Sequence, residues 1–231
     1  MTGLNEQTPV AQIVLDHSET AGVFQRHRID YCCKGGLALE EACRQRGADP
    51  RAILAELEQA IVERREPAGI DPRDVPTDVL VSHIIRKHHQ YLRDALPFLV
   101  PLARKVARVH GAHHPNLLEV RDLVEELSEL MLPHLDREEQ VLFPALRNEG
   151  QGREEVIASE LSTMHADHLE VAKVLEALRN AAHEFVIPEE ACTSYTTLYR
   201  ELVAVEADIF QHVHLENHVL MPRFARGQRS P

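Results

Sequence analysis

The 231-residue sequence has no tryptophan, and aromatic residues make up only 4% of it. Clusters of β-branched residues are few, while Leu, Ala, Glu and Arg abound, so the composition favours helix over sheet. Positive charge is also in short supply. Twenty-five Lys and Arg stand against 37 Asp and Glu, a formal net charge of −12. No Lys/Arg stripe interrupts that balance, which argues against nucleic acid or an acidic membrane surface as a partner. No apolar run approaches the roughly 20 residues needed to span a bilayer. The opening MTGLNEQTPVAQIVLD lacks both a basic n-region and an unbroken apolar h-region, so it does not read as a signal peptide. These absences lead us to expect a soluble, cytoplasmic protein.

Cysteine is scarce as well. There are four, Cys32, Cys33, Cys43 and Cys192, the first three within twelve residues. This is not the framework of a secreted disulfide protein; it suits a reducing compartment where thiols stay free for chemistry. Histidine is the one residue in excess, with 15 copies.

The pattern along the chain is helical throughout. We read residues 1–66 as a small helical domain, 67–75 as a linker and 76–231 as a larger domain. In the first, TPVAQIVLDH and SETAGVFQRH are short periodic segments, with Ser18 placed to cap the second. Gly35 and Gly36 open LALEEACRQRG, a helix that Gly47 ends. Asp49 and Pro50 then supply an N-cap and a first-turn proline. The proline-rich PAGIDPRDVP is the linker. Beyond it, helical periodicity predicts four long segments, roughly 76–110, 115–147, 153–183 and 188–225. Their short separators imply antiparallel neighbours, hence an all-α, up-down-up-down four-helix bundle. Pro97, Pro101 and Pro133 fall inside these segments, where kinks or local breaks are expected.

Histidine is placed within this pattern by a repeat. HLDREEQVLFP at 134–144 recurs as HVHLENHVLMP at 212–222, so His134, Glu138 and Pro144 reappear as His212, Glu216 and Pro222, each 78 residues on. His89 and His168, on the first and third helices, lie 79 apart. One helical hairpin has been written twice. His and Glu at i and i+4 share a helix face, and the apolar pairs Val141–Leu142 and Val219–Leu220 turn that face inward. A single His-x-x-x-Glu is most often a surface pair worth a few tenths of a kcal/mol. Two in the same phase, each preceded by a His-bearing helix, point instead to a metal site, because buried carboxylates need a partner.

The donor set narrows the metal. Four imidazoles and two carboxylates are too many for one tetrahedral zinc, lack the thiolates a soft metal favours, and match oxygen-loving Ca²⁺ or Mg²⁺ poorly. Two non-haem irons, bridged by both carboxylates with two imidazoles each, use every group; manganese or mixed occupancy is chemically possible. Such a centre leaves room for an oxo or hydroxo bridge and for a small ligand such as O₂ or NO. Spacing leaves His88 and His89 as rivals, and likewise His165 and His168. His83, His88 and His165 are read as core-edge or outer-sphere groups. Asp208, one turn before His212, is placed to orient that ring. His110, His113 and His114 fall in a connection and read as solvated; Cys192 reads as structural.

These residues carry a resemblance. The set His89, His134, Glu138, His168, His212 and Glu216, with EEQVLFP and LENHVLMP, resembles hemerythrin-like domains. IDYCCKGGLALEEAC resembles the ScdA-type N-terminal domain. Together they make the chain similar to the RIC (repair of iron centres) di-iron proteins over nearly all of 1–225. That resemblance implies six iron ligands, those just named, with Glu138 and Glu216 bridging, and it ranks His89 above His88. It implies repair of iron–sulfur clusters damaged by nitrosative or oxidative stress, with damaged iron–sulfur proteins as partners and NO or O₂ as small ligand. Two alternatives remain open: a di-iron enzyme that reduces NO or turns over peroxide or O₂, and a hemerythrin-type sensor or carrier of O₂, NO or iron. No catalytic acid or electron donor is evident, and monomer and homodimer are equally compatible. Adjacent Cys32 and Cys33 can close only a strained ring. They read either as buried packing or as a thiol site for redox chemistry or transient iron binding, with Cys43 as a third thiol. Gly35 and Gly36 would let a partner approach closely.

Overall fold

The computed structural model describes residues 4–64, 70–147 and 153–224. Among these, the only pairing outside helices is one isolated bridge between Pro9 and Ala38, so the expected all-α class holds. The chain falls into two compact units, Met1–Val75 with Phe210–Arg223, and Pro76–Ile209 with Phe224–Pro231. Much of the expected linker, from 67 to 69, lies outside the described residues.

In the first unit, α1 (Val10–Asp16), α2 (Ala21–Arg26), α3 (Leu39–Arg46) and α4 (Pro50–Glu63) enclose a small core. Val10, Ile13, Phe24, Tyr31, Leu39, Ile53 and Leu57 are all buried in it. The terminators act as their chemistry dictates. Asp49 accepts the Arg51 N–H at 3.0 Å ahead of Pro50, satisfying one of the open donors of α4. Gly47 closes α3 at φ +67°, where a side chain would be strained. Ser18 does not cap α2. It opens a 3₁₀ turn, Ser18–Thr20, with no side-chain cap, and Thr20 donates to the His17 carbonyl instead. The two glycines differ as well. A Cβ on Gly35 would lie 2.4 Å from the Tyr31 carbonyl and 2.6 Å from His218 Nε2, whereas Gly36 faces open space. Only Gly35 serves a close approach.

The bundle helices are α5 (77–110), α6 (116–147), α7 (Glu154–Ala181) and α8 (193–224). Their apolar positions recur every three or four residues, as in Leu92, Leu96, Leu99, Ala103 and Val106 of α5 or Val120, Val124, Leu127 and Met131 of α6. All of these are buried. Pro97, Pro101 and Pro133 break nothing: each sits inside a continuous helix on its exposed face. There the carbonyl that a proline leaves without a partner can turn to water. The last helix starts at Thr193, later than expected. Pro188–Ala191 forms a turn instead, closed by Ala191 N–H to the Pro188 carbonyl at 3.1 Å.

Three of the bundle helices contain a π turn, which the sequence pattern does not announce. Ile85–His89, Glu138–Leu142 and Glu216–Leu220 each take one extra residue per turn, closed by Gln90 N–H to Ile85, Phe143 N–H to Glu138 and Met221 N–H to Glu216. Each contains one of the candidate ligands.

Candidate metal centre

The six repeat-derived side chains are all buried: His89, His212 and Glu216 at 0% exposure, His168 at 1%, Glu138 at 2% and His134 at 4%. On α5 and α6, His89 Nε2 lies 3.4 Å from Glu138 Oε2, and His134 Nε2 lies 3.3 Å from Glu138 Oε1. The His134 and His168 rings meet edge-on at 5.0 Å. On α8, His212 Nε2 lies 3.0 Å from Glu216 Oε1. Two sets of ligand atoms gather within 4.8 Å, one from His89, Glu138, His212 and Glu216, the other from His134, Glu138, His168 and Glu216. The two carboxylates belong to both sets. The arrangement is therefore two metal-binding clusters that share Glu138 and Glu216.

The nitrogen–oxygen spacings fit a cation. With metal–ligand bonds of about 2.1 Å, two ligands at right angles stand about 3.0 Å apart, close to the observed 3.0–3.4 Å. His134 Nε2 makes no hydrogen bond, although it is buried. Its other nitrogen explains the orientation: Nδ1 lies 3.2 Å from Asp167 Oδ2. His89 follows the same plan, with Nδ1 at 2.9 Å from Glu139 Oε1, and Arg93 donates to that oxygen at 3.1 Å. An Nδ1–H donated to a carboxylate leaves the Nε2 lone pair directed at the cluster. The carboxylates feel the pairing. The His134 hydrogen bond holds Asp167 below the usual range in spite of partial burial. Burial pushes Glu139 up, but its bonds to His89 and Arg93 outweigh that and hold it low.

The rivals within a turn separate by geometry. His88 is as buried as His89, but its Nδ1 pairs with Asp208 Oδ1 at 2.8 Å and it joins neither cluster. Asp208 therefore serves His88, not His212 as its spacing suggested. His165 is exposed, so it is not an outer-sphere group. The residues in that role, Glu139 and Asp167, have no spacing signal. Their only sequence cue is adjacency to Glu138 and His168.

The cysteine segment is built on Asp30. Its Oδ1 accepts the backbone N–H of Cys32 at 3.0 Å and of Cys33 at 2.8 Å, and the Cys32 thiol at 3.2 Å. The two sulfurs are 3.6 Å apart and unbonded. Asp30, Cys32 and Cys33 form a third set of possible ligand atoms, which excludes Cys43. Burial, with help from Cys33 and Asp30, pushes the Cys32 thiol well above its usual range; burial also raises Cys43. The Cys32 carbonyl accepts from His218 Nε2 at 2.7 Å and Asn217 Nδ2 at 3.1 Å, and His214 Nδ1 lies 3.3 Å from the Tyr31 carbonyl. Within the first unit, residues 212–218 thus turn His212 and Glu216 one way and His214, Asn217 and His218 towards the cysteine segment. Cys192 is exposed, contrary to a structural role.

Comparison with known proteins agrees with this geometry. Residues 80–224 match the hemerythrin HHE cation binding domain, and residues 6–61 match the ScdA N-terminal domain, a domain of unknown function. The iron-sulfur cluster repair protein ScdA of Staphylococcus haemolyticus is 30% identical over 96% of this chain and 100% of its own. The iron-sulfur cluster repair protein YtfE is 31% identical in both Enterobacter sp. and Escherichia coli, over 95% of this chain and 97% of theirs. No helix among the described residues is long and apolar enough to cross a membrane. The chain belongs to the family of iron–sulfur cluster repair proteins that includes ScdA and YtfE, with a hemerythrin domain following an ScdA-type N-terminal domain.

Proposed function

We propose that the protein is a di-iron protein that repairs iron–sulfur clusters damaged by nitrosative or oxidative stress. The observation that carries this is the pair of buried His/Glu clusters sharing two carboxylates, in a chain of this family. Glu138 and Glu216 would bridge two irons, with His89 and His212 completing one and His134 and His168 the other. When bound, the irons would supply a transferable metal and an open position for NO or O₂. Glu139 and Asp167 hold the two ligand imidazoles in one tautomer. The surrounding core, Leu92, Met131, Leu135 and Met164 among it, excludes bulk water from the carboxylates. Residues 1–66 would form a separate thiol-bearing domain, joined by 67–75 to the iron-binding bundle of 76–231, and damaged iron–sulfur proteins in the cytoplasm would be the partners.

The test is recovery of a client. Iron-loaded protein is incubated anaerobically with an iron–sulfur enzyme inactivated by NO, beside a free-iron control of equal concentration. Repair predicts recovery well above the control, and loss of that excess in His89→Ala and His168→Ala. Recovery no greater than with free iron refutes it. Formation of N₂O from NO in the same vessel would favour an NO-reducing enzyme instead.

A further inference from the structure

Apart from the clusters above, metal-ligating side chains meet in one other place in the second unit, and the proposed function uses none of them. His110 ends the long second segment of α5, and His114 follows in the turn before α6. Glu190 and Cys192 lie in the connection ahead of α8. His110 Nε2 is 3.1 Å from Cys192 Sγ, and His114 Nε2 is 3.2 Å from Glu190 Oε1. The two imidazoles pack on one ring, that of Tyr195, with centroids at 5.5 and 5.8 Å. Tyr195 is 2% exposed and its hydroxyl donates to Tyr199 at 3.3 Å, so this wall is fixed. The chain between the histidines is fixed too, since the His110 carbonyl accepts the N–H of both His113 and His114.

We propose that His110, His114, Glu190 and Cys192 form a second metal site, for a single borderline-soft divalent cation such as Zn²⁺. One thiolate, two imidazoles and one carboxylate make a tetrahedral donor set of the kind zinc takes, unlike the thiol-free clusters of the bundle core. At zinc bond lengths the sulfur–nitrogen edge of such a tetrahedron is about 3.6 Å and the nitrogen–oxygen edge about 3.4 Å. Each observed pair needs to open by only a few tenths of an ångström. The two pairs must also close on one another. The Glu190 side chain, 67% exposed, has the freedom to swing inward, and both sulfur and carboxylate ride on a connection without helical constraint. Cys192 precedes the first turn of α8, its carbonyl accepting from Thr196 N–H, and a helix N-terminus favours an anionic ligand. His110 and His89 are 21 residues apart along α5, about 30 Å at helical rise, so the site is separate from the core clusters. Zinc here would tie together the α5–α6 and α7–α8 connections. The inference does not depend on what the core clusters do.

Co²⁺ serves as the probe, because a thiolate ligand gives it a charge-transfer band in the near ultraviolet that His/Glu ligation cannot. Iron-replete full-length protein is titrated with Co²⁺, and then with Zn²⁺ to displace it. The expected result is one cobalt per chain with a thiolate band, kept in the Cys32→Ser/Cys33→Ser double variant. The band should be lost in Cys192→Ser. Binding should weaken at least tenfold in His110→Gln and His114→Gln. Bound Zn²⁺ should slow alkylation of Cys192, read by peptide mass spectrometry, by a similar factor. No band, or a band that survives Cys192→Ser and vanishes in the Cys32/Cys33 variant, overturns the proposal. The ligating side chains are half-buried or exposed, so the variants are expected to fold, and a circular dichroism melt checks each one.

Discussion

Glu139 is the most informative residue to perturb, because it touches no metal-facing atom yet should govern iron binding. Its Oε1 takes a hydrogen bond from His89 Nδ1 at 2.9 Å and another from Arg93 at 3.1 Å, and Arg93 is itself anchored to Asp136 at 2.7 Å. His89 is fully buried, so its Nδ1–H has no water to turn to. Glu139→Gln keeps an acceptor but removes the charge that makes the imidazole a better donor to metal; about tenfold weaker iron binding is expected, or about 1.4 kcal/mol. Glu139→Ala removes the acceptor as well and leaves a buried donor unmet, worth about 1–3 kcal/mol, so the loss should approach a hundredfold. Asp167→Asn is the internal comparison. Its bond to His134 is longer, at 3.2 Å, and its side chain is 40% exposed. Solvent screening then limits the loss to no more than about tenfold. The assay is anaerobic competition with a chromophoric Fe²⁺ chelator, with iron counted per chain. Because Glu139 orients a ligand of one cluster and Asp167 a ligand of the other, each variant should surrender one iron before its second. If Glu139→Ala and the parent release both irons at the same chelator concentration, the outer carboxylate does not orient His89, and the assignment of that ring fails.

Removing the metal should cost stability, since two carboxylates at 0–2% exposure would lose their cation. Iron at 1,000 times its dissociation constant stabilises by about 4 kcal/mol, so chelation should lower Tm by roughly 8–16 °C; an unchanged melt would show that the buried set is not metal-linked. Gly35→Ala forces a methyl to within 2.6 Å of three neighbours, the Tyr31 carbonyl, Ala11 and His218. A loss of about 1–3 kcal/mol is expected in urea, with faster labelling of Cys32 by a thiol reagent; equal labelling would mean that the close approach does not bury that thiol. Asp49→Ala should cost about 1 kcal/mol through the open N–H groups of α4, measured by the same unfolding curve.

The bundle was legible because burial on one face leaves a regular trace. Leu, Ile and Val at three- and four-residue spacing mark the core stripe of each helix, and the 78-residue repeat sets His134–Glu138 against His212–Glu216 in the same phase. Other features left no such trace. Asp208 stands one turn from His212, but the side chain that reaches it comes from α5, and a pairing across helices has no sequence period. Glu139 and Asp167 were hidden for the same reason. His165 and His168 share a spacing compatible with one face, yet only His168 is buried, since a stripe about 100° wide does not extend to its edge residues equally. The start of α8 was placed too early because Pro188-Glu189-Glu190 has the composition of a first helical turn. It instead closes as an isolated turn.

The π turns explain what the doubled phrase encodes beyond two ligands. In an unbroken α-helix both Val141 and Leu142 would sit over Glu138, and Phe143 would lie off to the flank. A π turn spends one more residue per revolution. Leu142 and Phe143 are accordingly the buried pair, at 1% exposure each, while Val141 is 41% exposed. Phe143 now stacks on the His89 ring at 5.6 Å. The same extra residue bears on the prolines. Pro144 and Pro222 follow their π turns by two residues, where an α-helix would drive each ring against the carbonyl four positions back. A widened turn moves that carbonyl away, and the helix continues to Arg147 in one case and Phe224 in the other. The shared apolar-proline ending of the two phrases is therefore part of the site's geometry: it fits a backbone that has taken up an extra residue at the carboxylate, and that residue is what brings an aromatic ring beneath a ligand imidazole.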